Sequence, residues 1–236
     1  MKLTYLYHSG FVIEGMQCTI IIDYFKDSDE KYLKNSLASF RGKLYVCASH
    51  WHPDHFNKDI LQWKNIRTDT EYILSDDIMQ KKKLLPKVAS FLNKGDVWQD
   101  ENIWIKAFGS TDAGISFLIE TEGKKIFHAG DLNNWHWDEE STSEEIQEAE
   151  QFFLAELHTL STETNRLDLA MFPVDSRLGK NYKRGAEQFV DTIQIGLFAP
   201  MHFGSKYRQA NAFQVYAEKA GCKFIPWTKT GESLQF

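Results

Sequence analysis

Residues 43–56 read Lys-Leu-Tyr-Val-Cys-Ala-Ser-His-Trp-His-Pro-Asp-His-Phe (KLYVCASHWHPDHF). The first six, Lys43 to Ala48, form a short apolar run with the composition of a buried strand. That run passes straight into His50-Trp51-His52-Pro53-Asp54-His55, which is therefore expected to be a loop at a strand end. Three imidazoles and a carboxylate fall within six residues, and no packing role requires them there. Neutral imidazole and carboxylate oxygen are the groups that bind a divalent ion such as zinc where thiolates are absent. In an extended stretch His50 and His52 point the same way and can pinch one ion. A turn around Pro53 lets Asp54 and His55 swing toward a second.

Upstream of this segment the chain reads as strands. Leu3 to Tyr7, Phe11 to Glu14 and Thr19 to Asp23 are β-branched or aromatic, broken by His8-Ser9-Gly10 and Glu14-Gly15. A short helix is expected around Glu30 to Ala38. Downstream, Asn57 reads as the cap of a helix carrying Ile60, Leu61 and Trp63. A strand over Glu71 to Leu74 and a helix over Asp76 to Lys83 follow. After Gly95 come strand candidates Ile103 to Phe108, Gly114 to Glu120 and Lys124 to His128, the last two joined by a tight Glu122-Gly123 turn. The acidic stretch Asp138 to Glu150 opens a long helix through about Leu160, its carboxylates forming a solvated face and N-terminal charge. Leu167 to Val174 and Leu197 to Pro200 read as buried strands, and Arg184 to Ile193 as a helix. A helix over Gln209 to Ala220 and a strand over Lys223 to Pro226 come last. A cluster of strands followed by alternation with helices recurs weakly in the second half. That order suits a four-layer αββα sandwich, two mixed β-sheets face to face with helices outside, formed by residues 1–236 as a single domain.

Composition narrows the function classes. The formal net charge is −6, which does not favour long nucleic acids as partners. A local basic pocket for a small anion remains compatible with it. Cys18, Cys47 and Cys222 are odd in number and far apart, so neither a disulfide framework nor a thiolate zinc ribbon is expected. Cys47 reads as a buried small hydrophobe. A reducing, cytoplasmic setting follows as the simpler expectation. No stretch is long and apolar enough for a signal peptide or a membrane span. No G-x-S-x-G, P-loop or G-x-G-x-x-G motif competes with the histidine cluster.

The H-x-H-x-D-H pattern at 50–55 resembles that of the metallo-β-lactamase fold superfamily. The resemblance extends to Phe127-His128-Ala129-Gly130-Asp131 after a later strand and to Ala199-Pro200-Met201-His202-Phe203-Gly204 after a late one. Together with Tyr7-His8-Ser9-Gly10 these elements look like the branch of small hydrolases that includes sugar-lactone-phosphate lactonase relatives. The resemblance implies one or two metal ions, Zn2+ first and Mn2+ or Fe2+ as alternatives. It implies ligands His50, His52, Asp54, His55 and His202, with Asp131 bridging. It also implies hydrolysis of a small ester, lactone, amide or phosphoester by a metal-activated hydroxide that Asp54 fixes. A degenerate, non-catalytic metal-binding or sensing domain on the same fold is the rival reading.

One element departs from the family pattern. Most members carry a further histidine between the first motif and the bridging aspartate. The corresponding stretch here, Phe108 to Gly114, contains none. Asp112 is the candidate replacement, and the alternative is that it caps the following turn. An imidazole-to-carboxylate change would favour a harder ion such as Mn2+. Of the remaining histidines, His8 is assigned a cleft or ligand-bracing role, and His128 either braces ligands or fills the core. His136 is a candidate for the pocket entrance, and His158 reads as structural. In the loop after Leu167 to Val174, Asp175, Arg177 and Lys180 are candidates, with Arg177 forking onto an anionic substrate end and Lys180 assisting as a point charge. The expected partner is a small, possibly anionic molecule, with no nucleic acid and no membrane. An exposed aromatic set leaves a homo-oligomer open.

Overall fold

The computed structural model describes residues 1–236. Fourteen strands form two seven-stranded sheets. Those of the first half are β1 (Lys2–Tyr7), β2 (Gly10–Glu14), β3 (Cys18–Ile22), β4 (Lys43–Ala48), β5 (Glu71–Ser75) and β6 (Ser90–Leu92). Those of the second are β7 (Val97–Gln99), β8 (Trp104–Gly109), β9 (Ile115–Thr121), β10 (Lys124–His128), β11 (Arg166–Pro173), β12 (Gln194–Met201), β13 (Lys223–Phe224) and β14 (Ser233–Gln235). The sheet orders are β14-β1-β2-β3-β4-β5-β6 and β13-β12-β11-β10-β9-β8-β7. In the first, β14 through β3 pair antiparallel and β3 through β6 parallel. In the second, β7 through β10 pair antiparallel and β10 through β13 parallel. The two halves thus repeat one topology, which is the weak recurrence visible in the sequence.

Successive side chains of the central strands enter two different cores because they point to opposite faces. In β3, Cys18, Ile20 and Ile22 enter a core cluster of 49 buried residues between the sheets. Ile21, one step out of phase, joins a second cluster with Val46, Leu74, Ile60 and Ile78 beneath the helices. Strands buried on both faces are what a four-layer sandwich requires, and they explain the unbroken apolar run of β4.

The helices are α1 (Tyr32–Ser36), α2 (Asp76–Lys82), α3 (Ser143–Glu163), α4 (Arg184–Thr192), α5 (Tyr207–Asn211) and α6 (Gln214–Lys219). Thr142 and Glu145 close a reciprocal capping box that starts α3 inside the acidic stretch. Three expectations are corrected. The segment after Asn57 is a 3-10 helix over Lys58–Asn65, although Asn57 does cap it by accepting from the Asp59 amide. The helix expected over Glu30 to Ala38 is the single turn of α1 followed by a 3-10 turn, Leu37–Ser39. The helix expected over 209–220 is divided into α5 and α6. At the break, Asn211 donates its side-chain amide to the Trp227 carbonyl and Phe213 is fully buried. No helix is long and apolar enough to cross a membrane.

Antiparallel neighbours alternate in direction, so β1, β3 and β4 of one sheet run the same way. So do β8, β10, β11 and β12 of the other. The candidate residues lie just past the C-terminal ends of these seven strands.

Candidate metal centre

Two loops approach closely at that edge. The Ile115 amide donates to the Ser49 carbonyl at 2.9 Å. Gly114, at φ +66°, permits this contact, since a Cβ there would lie 2.0 Å from the Ser49 oxygen and 2.5 Å from His50 Cβ. Gly130, at φ +54°, likewise passes over Ser49. Small residues therefore let the loop after β4 meet the loops after β8 and β10.

The structure brings His50, His52, Asp54, His55, Asp131 and His202 together. Asp131 stands at the centre, 4% exposed. Its Oδ1 lies 3.1 Å from His55 Nε2 and 3.2 Å from His202 Nε2, while its Oδ2 lies 3.2 Å from His50 Nε2. The carboxylate thus presents one oxygen to His55 and His202 and the other to His50. Asp112 Oδ2 is 3.9 Å from His52 Nδ1, and Asp112, His52 and Asp131 form one set of donors that could share an ion. Two more sets are His50, His55 and Asp131, and His8, Asp54, His55 and His202. Within each set the donor atoms lie within 4.8 Å of one another.

These residues fit a divalent cation. His8 Nε2, His50 Nε2, His55 Nε2 and Asp131 Oδ1 are buried and have no hydrogen-bond partner. Such atoms are costly to leave unpaired. The local field also attracts positive charge. Burial alone would lower the pKa of His55, but the Asp131 and Asp23 carboxylates raise it to about 10. Burial likewise opposes protonation of His202, and Asp131 and Asp175 raise it to about 9. His8 differs, since burial lowers it to about 4 and leaves the ring neutral.

His55 and His202 are each oriented through the other ring nitrogen. His202 Nδ1 donates to Asp175 Oδ2 at 2.9 Å, and His55 Nδ1 donates to Asp23 Oδ2 at 2.7 Å. Those bonds fix the tautomers that turn both Nε2 atoms toward Asp131. Asp23 is fully buried and also accepts from the Ser49 amide and hydroxyl, at 2.7 and 2.6 Å. Sequence reasoning assigned it no role. The available signal was an acid closing the run Cys18-Thr19-Ile20-Ile21-Ile22, at the same edge as the histidines.

Other candidates separate. His128 donates Nε2–H to the Ser9 carbonyl at 2.9 Å and accepts from the Gly130 amide at Nδ1, 3.1 Å. It therefore braces the neighbours of His8 and Asp131 and has no free nitrogen for an ion. His136 does not line the pocket entrance. It is 1% exposed, and its nitrogens meet the Asn181 carbonyl and the Asp138 amide. Its neighbours Trp135 and Trp137 line the cleft instead. His158 is exposed on α3.

Two open clefts flank the centre, and both are lined by Asp54, Arg177 and His202. One, about 370 Å³, adds Tyr7, Phe25, Phe203 and Lys206. The other, about 320 Å³, adds His52, Thr111, Asp112, Trp135 and Trp137. Arg177 is held by Asp175, which accepts from Nε at 2.9 Å and from Nη2 at 2.5 Å. Lys180 lines neither cleft: the chain turns at Gly179, φ +84°, and Lys206 supplies the cationic amine of this edge instead.

A donor set of imidazoles and carboxylates past parallel strands, on a doubled β-sheet sandwich, defines a class, and comparison with known proteins agrees. A family model described as "Beta-lactamase superfamily domain" matches residues 2–151; the chain belongs to that family. Among relatives, a UPF0173 metal-dependent hydrolase of Korarchaeum cryptofilum is 22% identical over 213 residues, 86% of this chain and 83% of that protein. Igni18, a metallo hydrolase from Ignicoccus hospitalis, matches with TM-score 0.69 at 21% identity, covering 100% of this chain and 98% of its own. The metallo-β-lactamase fold protein YhfI from Bacillus subtilis matches with TM-score 0.64 at 14% identity, covering 99% and 98%. The αββα fold expected from the sequence is the one these structures share.

Proposed function

We propose that this chain is a metal-dependent hydrolase of a small, anionic carboxylic ester, lactone or amide, with phosphoesters as the next choice within the same chemistry. The observation that carries this reading is the convergence of partnerless buried imidazole and carboxylate atoms beneath two clefts. Bound there, Zn2+, Mn2+ or Fe2+ would lower the pKa of water and polarise a carbonyl or phosphoryl oxygen. His50, His52, Asp54, His55, Asp131 and His202 would hold the ions, and Asp112 stands where the missing histidine is expected. The set of His52, Asp112 and Asp131 therefore keeps three donors, which weighs against the non-catalytic reading.

The chain's own groups supply the remaining steps. Asp54 has a side chain 41% exposed at the junction of the clefts, within reach to accept a proton from an attacking water. Arg177 is braced on one side by Asp175, and its Nη1 makes no hydrogen bond within the protein, so it can receive an anionic group. Lys206 lines the same cleft, and Lys26 Nζ sits 3.7 Å from the centre of the Tyr7 ring. Arg177 and Lys206 thus bring positive charge to a cleft that also holds Asp54 and Asp175, although the whole chain is acidic. Trp135 and Trp137 stack at 16° with centroids 6.2 Å apart and give the second cleft a flat apolar wall. Clefts of this size suit small molecules, not nucleic acid.

The test is to prepare the metal-free protein, reload it with each ion, and assay nitrophenyl esters, lactones and bis-nitrophenyl phosphate. Turnover should rise with metal content, and Asp131→Ala should lose both. Stoichiometric metal binding with no turnover on any class would move the protein to the binding-only reading.

A further inference from the structure

The two halves of the chain place equivalent hairpins at the same edge. β1 and β2 are antiparallel and joined through His8-Ser9; β8 and β9 are antiparallel and joined through 110–114. Each hairpin precedes a third antiparallel strand, then a parallel series. His8 therefore holds in the first half the place that Asp112 holds in the second. Asp112 faces His52, and His8 faces Asp54 and His202.

The backbone of His8 is held for this purpose. It adopts φ +58°, a left-handed conformation that few non-glycine residues take and that His202 shares at φ +63°. Its amide donates to the Tyr5 hydroxyl at 2.9 Å, and its carbonyl accepts from the His202 amide at 3.0 Å. The second of these bonds ties it to the opposite sheet, and its ring lies 4.1 Å from the His202 ring. The residue is 8% exposed, and Nε2 has no hydrogen-bond partner. That nitrogen is 3.3 Å from Asp54 Oδ2, yet the two atoms are not aligned as donor and acceptor. With donor atoms of His55 and His202 these two lie within 4.8 Å of one another, a spacing that suits ligands of one ion, and a buried imidazole nitrogen left without a partner is unfavourable.

Resting on the metal-centre reading above, we propose that His8 is itself a metal ligand and completes an inner position with Asp54, His55, His202 and Asp131. The outer position is left to His50, His52, Asp112 and Asp131. The two positions are chemically unlike. The inner one has three imidazoles, with His55 and His202 side chains 0% and 5% exposed. The outer one opens to solvent through His52 and Asp112, whose side chains are 31% and 55% exposed. The inner position takes its ion first and holds it more tightly, and the outer ion exchanges.

The test is calorimetric and spectroscopic titration of the metal-free full chain with Co2+. Wild type should show two classes of site and a visible-band spectrum that changes between the first and second equivalents. His8→Asn retains a residue tolerant of positive φ and should weaken the tight class by about 100-fold or more, with an altered first-equivalent spectrum. Asp112→Ala should weaken only the second class. His8→Gly, checked for folding by circular dichroism, should regain the tight class when free imidazole is added, which a purely structural role would not allow. Two undisturbed classes and a wild-type spectrum in His8→Asn would overturn the ligand assignment alone. A wild-type chain that binds no Co2+ would instead overturn the metal-centre reading and this assignment with it.

Discussion

At the scale of single residues, the centre depends on carboxylates that touch no substrate. Asp23 closes the β3 run with φ +49° and engages Ser49 and His55 from below. Its ionised form persists against burial because the His128 and His55 imidazoles lie beside it. Replacing it by alanine removes the acceptor for His55 Nδ1–H, and the ring is then free to rotate or change tautomer. Asp23→Ala should weaken metal binding about 10–100-fold, measured by competition with a chromogenic chelator. Unchanged affinity would show that the His55 tautomer is set elsewhere. Arg177→Ala belongs to the same scale. It should raise KM about tenfold or more for a substrate with an anionic end and leave a neutral analogue nearly unaffected. Equal losses on both substrates would remove Arg177 from anion binding.

At the scale of elements, the edge opposite the metal centre is stitched by carboxylates: Glu122, between β9 and β10, accepts from the Met16 and Gln17 amides, and Asp100 makes a second tie. Asp100, between β7 and β8, accepts from Lys43 Nζ at 2.9 Å and from the Tyr45 hydroxyl at 2.6 Å, both on β4. Its other oxygen accepts from the Asn102 and Ile103 amides. These bonds join the two sheets, and against burial they hold the Asp100 carboxyl below the usual carboxylate range. A depressed folded pKa gives stability that is present above the unfolded value, near 4, and is lost as pH falls through the folded one. Asp100→Asn should cost about 2 kcal/mol at pH 7, read from urea midpoints, and the gap from wild type should narrow below about pH 4. A gap independent of pH would mean that the charge does not matter.

What the sequence made legible also follows from element scale. Strands β1–β5 and β8–β12 could be read because their burial leaves long β-branched or alternating runs. Strands β6, β7 and β14 escaped notice because each is three residues long and lies at a sheet edge. They pair through backbone atoms, which sequence patterning does not report. The same division applies to the site. His50, His52, Asp54 and His55 were legible because one short loop carries all four. His8 was placed at the cleft by its strand-end position, but the placement of Asp23 against them was not legible, since it arises from strand order and from the approach of loops at Gly114 and Gly130.

At the scale of the whole molecule, the donor groups come from both sheets. His8 and residues 50–55 follow strands of the first; Asp112, Asp131 and His202 follow strands of the second. A cation held among them ties the sheets at one edge as Asp100 ties them at the other. The unfolded chain cannot assemble this set from segments so distant, so binding favours the folded state. With free ion at about 100 times Kd the gain is about 2.7 kcal/mol per site. For a chain of this length that corresponds to a rise of about 5–10 °C in Tm for each site filled. Scanning calorimetry of metal-free and Zn2+-loaded protein should show this rise, and Asp131→Ala should show little of it, because that residue serves both positions. Asp100→Asn should lower both midpoints while preserving the difference between them, since the two ties lie far apart and their effects should add. If the metal-dependent rise also disappeared in Asp100→Asn, the two edges would be coupled, and independent stitching of the sheets would have to be abandoned.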